Sequence, residues 1–429
     1  MMVLLILLLL VIALMGAPLF AVILAAAAAG YYTLDINLSV LHIDIYQVSA
    51  SVVLMALPLF TFAGFLLSES KTADRMLRLS QAAFGWMPGG MAFVALVACA
   101  VFTALTGGSG VTIVALGGLL LPALLKAGYP KRFSTGLITT SGSLGLLLVP
   151  SVPLLIYGII VQQMSQSLDM PSVEIVDLYL AGILPAILMV VLLYLYCLWA
   201  GRKSPLPRQA FRWQELRQAA WEARWELPLP FVVLGGIFSG FLVISEAAAI
   251  TALYVTVVQV FVYREIPLRR LPSVMRESMT MVGGILLILA VAMSFAGYLV
   301  FAGIPESLFA FMQQHVSSKL MFLILLNIVL LLLGAVLDIF AALVILVPLI
   351  LPVAVGYGID PVHLGIIFVA NMQIGYFTPP VGMNLFIASY RFRQPITALY
   401  RATLPFMAVL ILALLIITYV PALSLYFVR

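Results

Sequence analysis

Thr106-Gly107-Gly108-Ser109 interrupts an apolar run over 91–125, and the next run, 133–160, is broken between Ser141-Gly142-Ser143 and Pro150-Ser151-Val152-Pro153. The pattern returns later: Asp338 interrupts 320–356, and Asn371 to Pro380 breaks 363–390. Lipid offers no partner to bare backbone N–H and C=O groups. Broken helices therefore persist at membrane depth only where they line a cavity or a site.

Composition sets the context. Of 429 residues, 64% are hydrophobic and only 9% charged, against roughly 25% charged in soluble domains. The chain reads as an all-α, polytopic membrane protein in a lipid bilayer, with no separate soluble domain. The net charge of +5 is no nucleic-acid signal, because the basic residues cluster in loops between spans. Cys99 and Cys197 lie in apolar runs and read as small buried hydrophobes. His42, His315 and His363 have no metal-ligand spacing. The apolar run from Met1 to Ala29 ends in small residues, as a signal peptide does. It carries no Lys or Arg and is long enough to span, so it reads as the first helix, about 2–29.

Basic residues orient the spans. Segment 31–46 has no Lys or Arg and is placed outside, with the N-terminus cytoplasmic; after a span over 47–67, segment 71–78, with Lys71, Arg75 and Arg78, is placed inside. The run 91–125 returns to Lys126, Lys131 and Arg132. It reads as a re-entrant hairpin because each arm, about 15 residues, is short for a crossing; two full spans are the alternative. A basic segment over 202–226 carries Trp213, Trp221 and Trp225 at spacings of one helix face, and reads as an amphipathic helix in the cytoplasmic interface. Two spans are expected over 228–263, around Ser245-Glu246, with Glu246 capping a helix that begins at Ala247. Segment 303–319 is placed outside as a loop. The second hairpin, 320–356, then enters from outside, and the last span, 402–425, ends in the periplasm.

A shift of 230 residues superposes Pro122 on Pro352, Gly128 on Gly358, Gly145 on Gly375 and Pro150 on Pro380. Charge places the two hairpins on opposite sides, so the expected architecture is two inverted repeats, 1–200 and 228–429, joined by a connector over 201–227. Each repeat holds a re-entrant hairpin and a discontinuous helix. This is the pattern of secondary transporters, whose sites form where broken helices meet.

Carbonyl and hydroxyl oxygens at such breaks suit Na⁺ as a coupling ion. The first-half candidates are Thr106, Gly107, Ser109, Thr112, Ser141, Gly142, Ser143 and Gly145. The second-half candidates are Asp338, Asn371, Gln373, Gly375, Thr378 and Gly382. Glycine would let the backbone turn its carbonyls toward the ion. Asp338 is the costliest placement, an ionisable group inside a span. Substrate is expected at Ser109, Ser143, Pro150, Ser151, Asp338 and Pro380. Helix starts near Pro153 and Pro380 would offer positive dipole ends to a carboxylate.

At these residues the chain resembles the large membrane subunit of TRAP (tripartite ATP-independent periplasmic) transporters, a DctM-like permease. The likeness runs essentially full length. It rests on Ala104-Leu105-Thr106-Gly107-Gly108-Ser109, Ser141-Gly142-Ser143-Leu144-Gly145, Pro150-Ser151-Val152-Pro153, Glu246-Ala247-Ala248-Ala249, Asp360-Pro361-Val362-His363 and Thr378-Pro379-Pro380-Val381-Gly382. The resemblance implies an elevator-type importer of a small organic acid with Na⁺ in the bacterial inner membrane. It also implies a separate four-helix, DctQ-like small membrane subunit and a DctP-like periplasmic substrate-binding protein. The chain departs from the usual Ser-Gly-Ser-Ser tip at Thr106 and Gly108, which shifts weight from side-chain oxygens to carbonyls. A stand-alone carboxylate permease of the same architecture is the alternative. No catalytic set lies within the spans, so the chain is not expected to be an enzyme.

Overall fold

The computed structural model describes residues 11–12, 15–50, 52–168, 172–202, 210–316 and 318–428. Among these, seven helices are long and apolar enough to cross a bilayer, or nine if two bent helix pairs each count as one. Helices pack into two bodies.

The first body joins α1 (Leu19–Thr33), α2 (Ser39–Ala50), α3 (Ala56–Glu69) and α4 (Thr72–Phe84) to elements from the middle of the chain. Residues before Val11 lie outside the description. Within the run expected as one helix over 2–29, Val11–Ile12 are helical, Met15-Gly16 form a turn, and a helix starts again at Leu19 after Pro18. Helix α4 is amphipathic and turns 76° away from the preceding helix. It buries Ala73, Met76, Leu77 and Ser80 on one face. The expected loop over 71–78 is thus a helix, and Arg75 is buried rather than solvated.

The second body begins with α5 (Gly90–Thr106), α6 (Ser109–Lys126), α7 (Lys131–Ser141), α8 (Val152–Leu168) and α9 (Ile175–Gly201). The chain then returns to the first body through α10 (Trp213–Glu222), α11 (Pro228–Phe238), α12 (Ile244–Thr256) and α13 (Leu271–Phe301), and α14 (Ile304–His315), like α4, crosses between the two bodies. It closes in the second body with α15 (Lys319–Gly334), α16 (Ile339–Gly356), α17 (Pro361–Gly375), α18 (Met383–Phe392), α19 (Ile396–Tyr419) and α20 (Ala422–Leu425).

Several expectations are corrected here. Helix α10 ends at Glu222, so Trp225 lies in the following turn, off the helix face of Trp213 and Trp221; Lys203 and Arg208 of the connector lie outside the described residues. Helix α11 has 11 residues, too few for the first of two spans when a crossing takes about 20. Helix α12 starts at Ile244, not Ala247, and Glu246 caps it: its Oε2 accepts the Val243 N–H at 3.1 Å. Helix α6, the second arm of the first hairpin, has 18 residues, longer than the 15 expected, and α16, the matching arm of the second, also has 18. The segment 304–315 is helix α14, not a loop.

Helices α7, α8 and α17 are the core of the second body. Every residue of α17 is buried, the mark of a helix surrounded by protein rather than lipid. Tyr157 on α8 donates to the Pro361 carbonyl at 2.6 Å. The shift that relates the prolines also relates helix bounds: α6 at 109–126 falls on α16 at 339–356, and α7 begins at 131 where α17 begins at 361.

The first body is held near α4 by a buried ionic cluster. Arg75 pairs with Glu226 and with Glu265, each at 2.5 Å, and its guanidinium lies 4.0 Å from the Tyr263 ring centroid. Thr72 Oγ1 and Gln259 Nε2 complete the cluster at 3.2 Å. Elsewhere Asp44 Oδ2 accepts the Ser294 hydroxyl at 3.0 Å, tying α2 to α13.

Candidate functional site

The two hairpin tips, Gly107-Gly108 and Ala335 to Asp338, come together at a cavity of about 500 Å³. Its second-body walls include Gly107, Ser109, Asp338, Phe340 and Tyr376, and its first-body wall is α13, through Thr280, Met281, Gly284, Ile285 and Ile288. The site thus lies between the bodies.

The first tip reverses direction through Gly107 at φ 70°, a conformation that side chains disfavour. Helix α6 then starts with no side-chain cap. The Ser109 hydroxyl instead donates to Asn384 Oδ1 at 2.9 Å, bridging 275 residues to α18. Asn384 is buried, and its Nδ2 has no partner. Behind the tip, Thr103 and Thr112 hydroxyls lie 2.7 Å apart, and Thr103 donates to the Gly142 carbonyl at 2.8 Å.

The second tip is built differently. Asp338 caps α16, its Oδ2 accepting the Phe340 N–H at 3.0 Å. Tyr376 donates to Asp338 Oδ1 at 2.9 Å and accepts the Ile339 N–H at 3.1 Å. One phenol from the broken helix thereby holds both the capping carboxylate and the helix's first amide.

The remaining candidates divide by place. Thr106 donates to Phe102 O and Ser141 to Ile138 O within their own helices, and Thr378, past the end of α17, donates back to Ile374 O. Ser143 crosses between the breaks, donating to Gln373 O at 3.1 Å and to Thr140 O at 3.2 Å. Gly145 and Gly375 are close-approach positions. A Cβ on Gly145 would lie 2.2 Å from Ala100 O, and one on Gly375 2.5 Å from Gly334 C. Packing against the first arm of each hairpin, not freedom to turn a carbonyl, requires glycine there. Gly382 donates to Ala335 O at 2.8 Å, tying the break to the tip.

Pro150 lines a separate small cavity with Phe60, Leu105 and Thr251. Ser151 is buried and donates to Leu146 O. Pro380 accepts from the Tyr400 hydroxyl and does not line the 500 Å³ cavity. The helix starts that reach the cavity are those of α6, α16 and α18, the last beginning at Met383 just after Pro380; the start near Pro153 does not reach it. The Val149-Pro150 and Pro379-Pro380 peptides are cis, one in each break.

Helix α17 runs unbroken through Gly375, so the second break starts at Tyr376 rather than at Asn371; two buried side-chain oxygens on the last turns of this helix, Asn371 Oδ1 and Gln373 Oε1, have no hydrogen-bond partner. Such orphaned hard oxygens fit a small monovalent cation better than they fit an apolar core. Sequence reasoning missed Tyr376, Asn384 and Thr280. Tyr376 lies inside the broken stretch and was legible as its one phenol. Asn384 and Thr280 sit in apolar helices with no local signal.

A family model described as "Tripartite ATP-independent periplasmic transporter, DctM component" matches residues 3–423. The chain is 36% identical over 388 residues to the C4-dicarboxylate TRAP transporter large permease protein DctM of Pseudomonas aeruginosa, covering 90% of this chain and 88% of that protein. It is 38% identical over 381 residues to the protein of the same name from Rhodobacter capsulatus, covering 87% and 86%. Among solved structures, the Alcanivorax borkumensis YdaH transporter matches with a TM-score of 0.64 at 17% identity, covering 88% of this chain and 86% of that one. That likeness is one of fold.

Proposed function

This chain belongs to the DctM family of tripartite ATP-independent periplasmic transporters, and from that premise we propose that it is the large permease subunit of a Na⁺-coupled, binding-protein-dependent importer of an organic acid. The observation that carries this reading is one cavity on which both hairpin tips, both broken helices, through Leu146 and Tyr376, and a helix of the other body converge. Secondary transporters form their sites from broken helices in this way.

In this reading the two repeats are inverted in the membrane. The second body, with both hairpins, moves against the first as an elevator, and the cavity between them is the substrate's compartment. In the second half a Na⁺ takes a side-chain oxygen from Asn371 or from Gln373 but not from both, because two positions apart on α17 they face Asn327 and Met189 respectively. In the first half the hydroxyls of Thr106, Ser141 and Ser143 donate to backbone carbonyls, which leaves their oxygen lone pairs open to a Na⁺ alongside backbone carbonyls. A small membrane subunit packs on the first body, and a periplasmic binding protein delivers the acid. The N-terminus is cytoplasmic and the C-terminus periplasmic, in the inner membrane.

The test is uptake of a radiolabelled acid into proteoliposomes holding this chain, its small subunit and the purified binding protein. Uptake that needs both an inward Na⁺ gradient and the binding protein is the expected result. Uptake without the binding protein would identify a stand-alone permease, and uptake indifferent to Na⁺ would remove the sodium assignment.

A further inference from the structure

We propose that the first body holds a site for a small monovalent cation, buried where α4 turns away from α3 and separate from the cavity between the bodies.

The site is the ionic cluster around Arg75, whose charges do not balance. One guanidinium stands between two carboxylates, Glu226 and Glu265. Among the described residues neither carboxylate pairs with a second cation. Arg78 pairs with Glu222 and Arg270 with Glu69, and Lys71 and Arg264 are exposed. The Glu226 side chain is 2% exposed and that of Glu265 14%. Tyr263 lies against the guanidinium and donates to Glu226 Oε2 at 3.0 Å, but it carries no charge. An excess of one buried negative charge is costly unless a positive charge answers it.

An independent observation points to the same place. Gln259 is fully buried, and its Oε1 has no partner. Its Nε2 donates to Thr72 Oγ1 at 3.2 Å. The Thr72 hydroxyl has one proton, and Glu226 Oε1 accepts it at 3.3 Å. Turning the amide over would set its oxygen against a hydroxyl with no proton to give, so the orphan is an acceptor. It lies one hydroxyl away from the carboxylate with the unanswered charge. Amide, hydroxyl and carboxylate oxygens are ligands for hard cations, and an excess of one charge calls for a single positive charge. Gln259 also sits in a π-helical turn, Val257–Val262, a rare winding that is frequent at functional sites.

The position gives the site a mechanical role. Glu265 Oε2 also accepts the Lys71 N–H at 2.8 Å, at the point where α4 bends 76° from α3. Helix α4 leads to the first hairpin, so a cation in the cluster stiffens the joint by which that hairpin is tied to the first body.

The experiment is hydrogen–deuterium exchange on the purified full chain in lipid nanodiscs, in NaCl, KCl or choline chloride at equal ionic strength, read on peptides covering 70–78 and 257–266. Choline is too large for a buried site and reports screening alone. Exchange in both peptides should slow by about tenfold in NaCl, in KCl or in both, relative to choline, once the ion is about ten times above its Kd. Glu226→Gln removes the excess charge and leaves Arg75 its pair with Glu265; the cation response should vanish, with exchange slow in all three salts. Gln259→Leu removes the orphaned oxygen and should also lose the response, while Na⁺-dependent changes at the hairpin tips persist. Equal exchange of the unaltered chain in all three salts, or a response that survives either variant, would overturn the proposal.

Discussion

The two hairpins are fixed by different kinds of bond. The first is approached by α4, whose Arg75 is locked to Glu226 and Glu265, while its tip ends in bare glycine backbone. The second is approached by α14, which makes no ion pair among the described residues and packs through Phe309 on Gly356 and Tyr357. Its tip, however, is clamped by Asp338 and Tyr376. Two halves with matching helix bounds thus place their polar bonds differently. Ion pairs hold the base of the first hairpin, whereas Lys319 to Gly358 O and Tyr357 to Val316 O hold that of the second; at the tips, Ser109–Asn384 answers the Asp338–Tyr376 clamp.

The largest expected effect comes from breaking the locked base. Arg75→Met leaves Glu226, whose side chain is 2% exposed, without its cation. Removing one partner of a buried pair costs about 3–5 kcal/mol, readable as a fall in the Tm of the detergent-solubilised chain. Adding Glu226→Gln should recover part of it. A Tm unaffected by Arg75→Met would mean that the base is not held by charge.

Next is the clamp on the second tip. Tyr376→Phe removes the acceptor for the Ile339 N–H and one bond to Asp338, a loss of about 1–3 kcal/mol for an orphaned buried group. Asp338→Ala removes a cap worth about 0.5–2 kcal/mol. Because both act on one structure, the double variant should cost less than the sum. Additive losses would separate cap from clamp.

A smaller effect is expected at the first tip. Ser109→Ala and Asn384→Ala each lose one hydrogen bond, about 0.5–1.5 kcal/mol, and a double-mutant cycle should show coupling between these residues 275 positions apart. The smallest change in stability belongs to the wall between the bodies. A Cβ on Gly284 meets nothing within 4 Å, so Gly284→Ala should stabilise α13 by about 0.5–1 kcal/mol. Gly284→Phe should stop uptake with little change in Tm, by filling the cavity.

Much of the helical frame was legible because Gly and Pro stand out in an apolar chain. The breaks near Ser141 and Asn371 and the turns at Gly107 and Asp338 each lie at or within a few residues of a helix end. The approach helices were not legible from charge. Arg75 and Lys71 read as markers of a solvated loop, yet the spacing of Ala73, Met76, Leu77 and Ser80 carried a helical stripe that charge counting passed over. The site was half legible. Asp338 and Ser109 announced themselves as polar groups in apolar runs. Tyr376 reads as an ordinary aromatic until its hydroxyl is seen between two backbone-capping groups. Asn384 and Thr280 acquire meaning only from partners on distant helices, which no local pattern encodes.

Helix α17, enclosed on every side, has a consequence for the order in which the chain is made. A ribosome that has finished α9 has released a first half whose Tyr157 hydroxyl still lacks the Pro361 carbonyl it will bond. Ser143 still lacks Gln373 O. The acceptors arrive some two hundred residues later, on a segment with no lipid-facing side of its own. That segment therefore meets partners made far earlier in the chain, and the interior around α7 and α8 stays incomplete until α17 has been made.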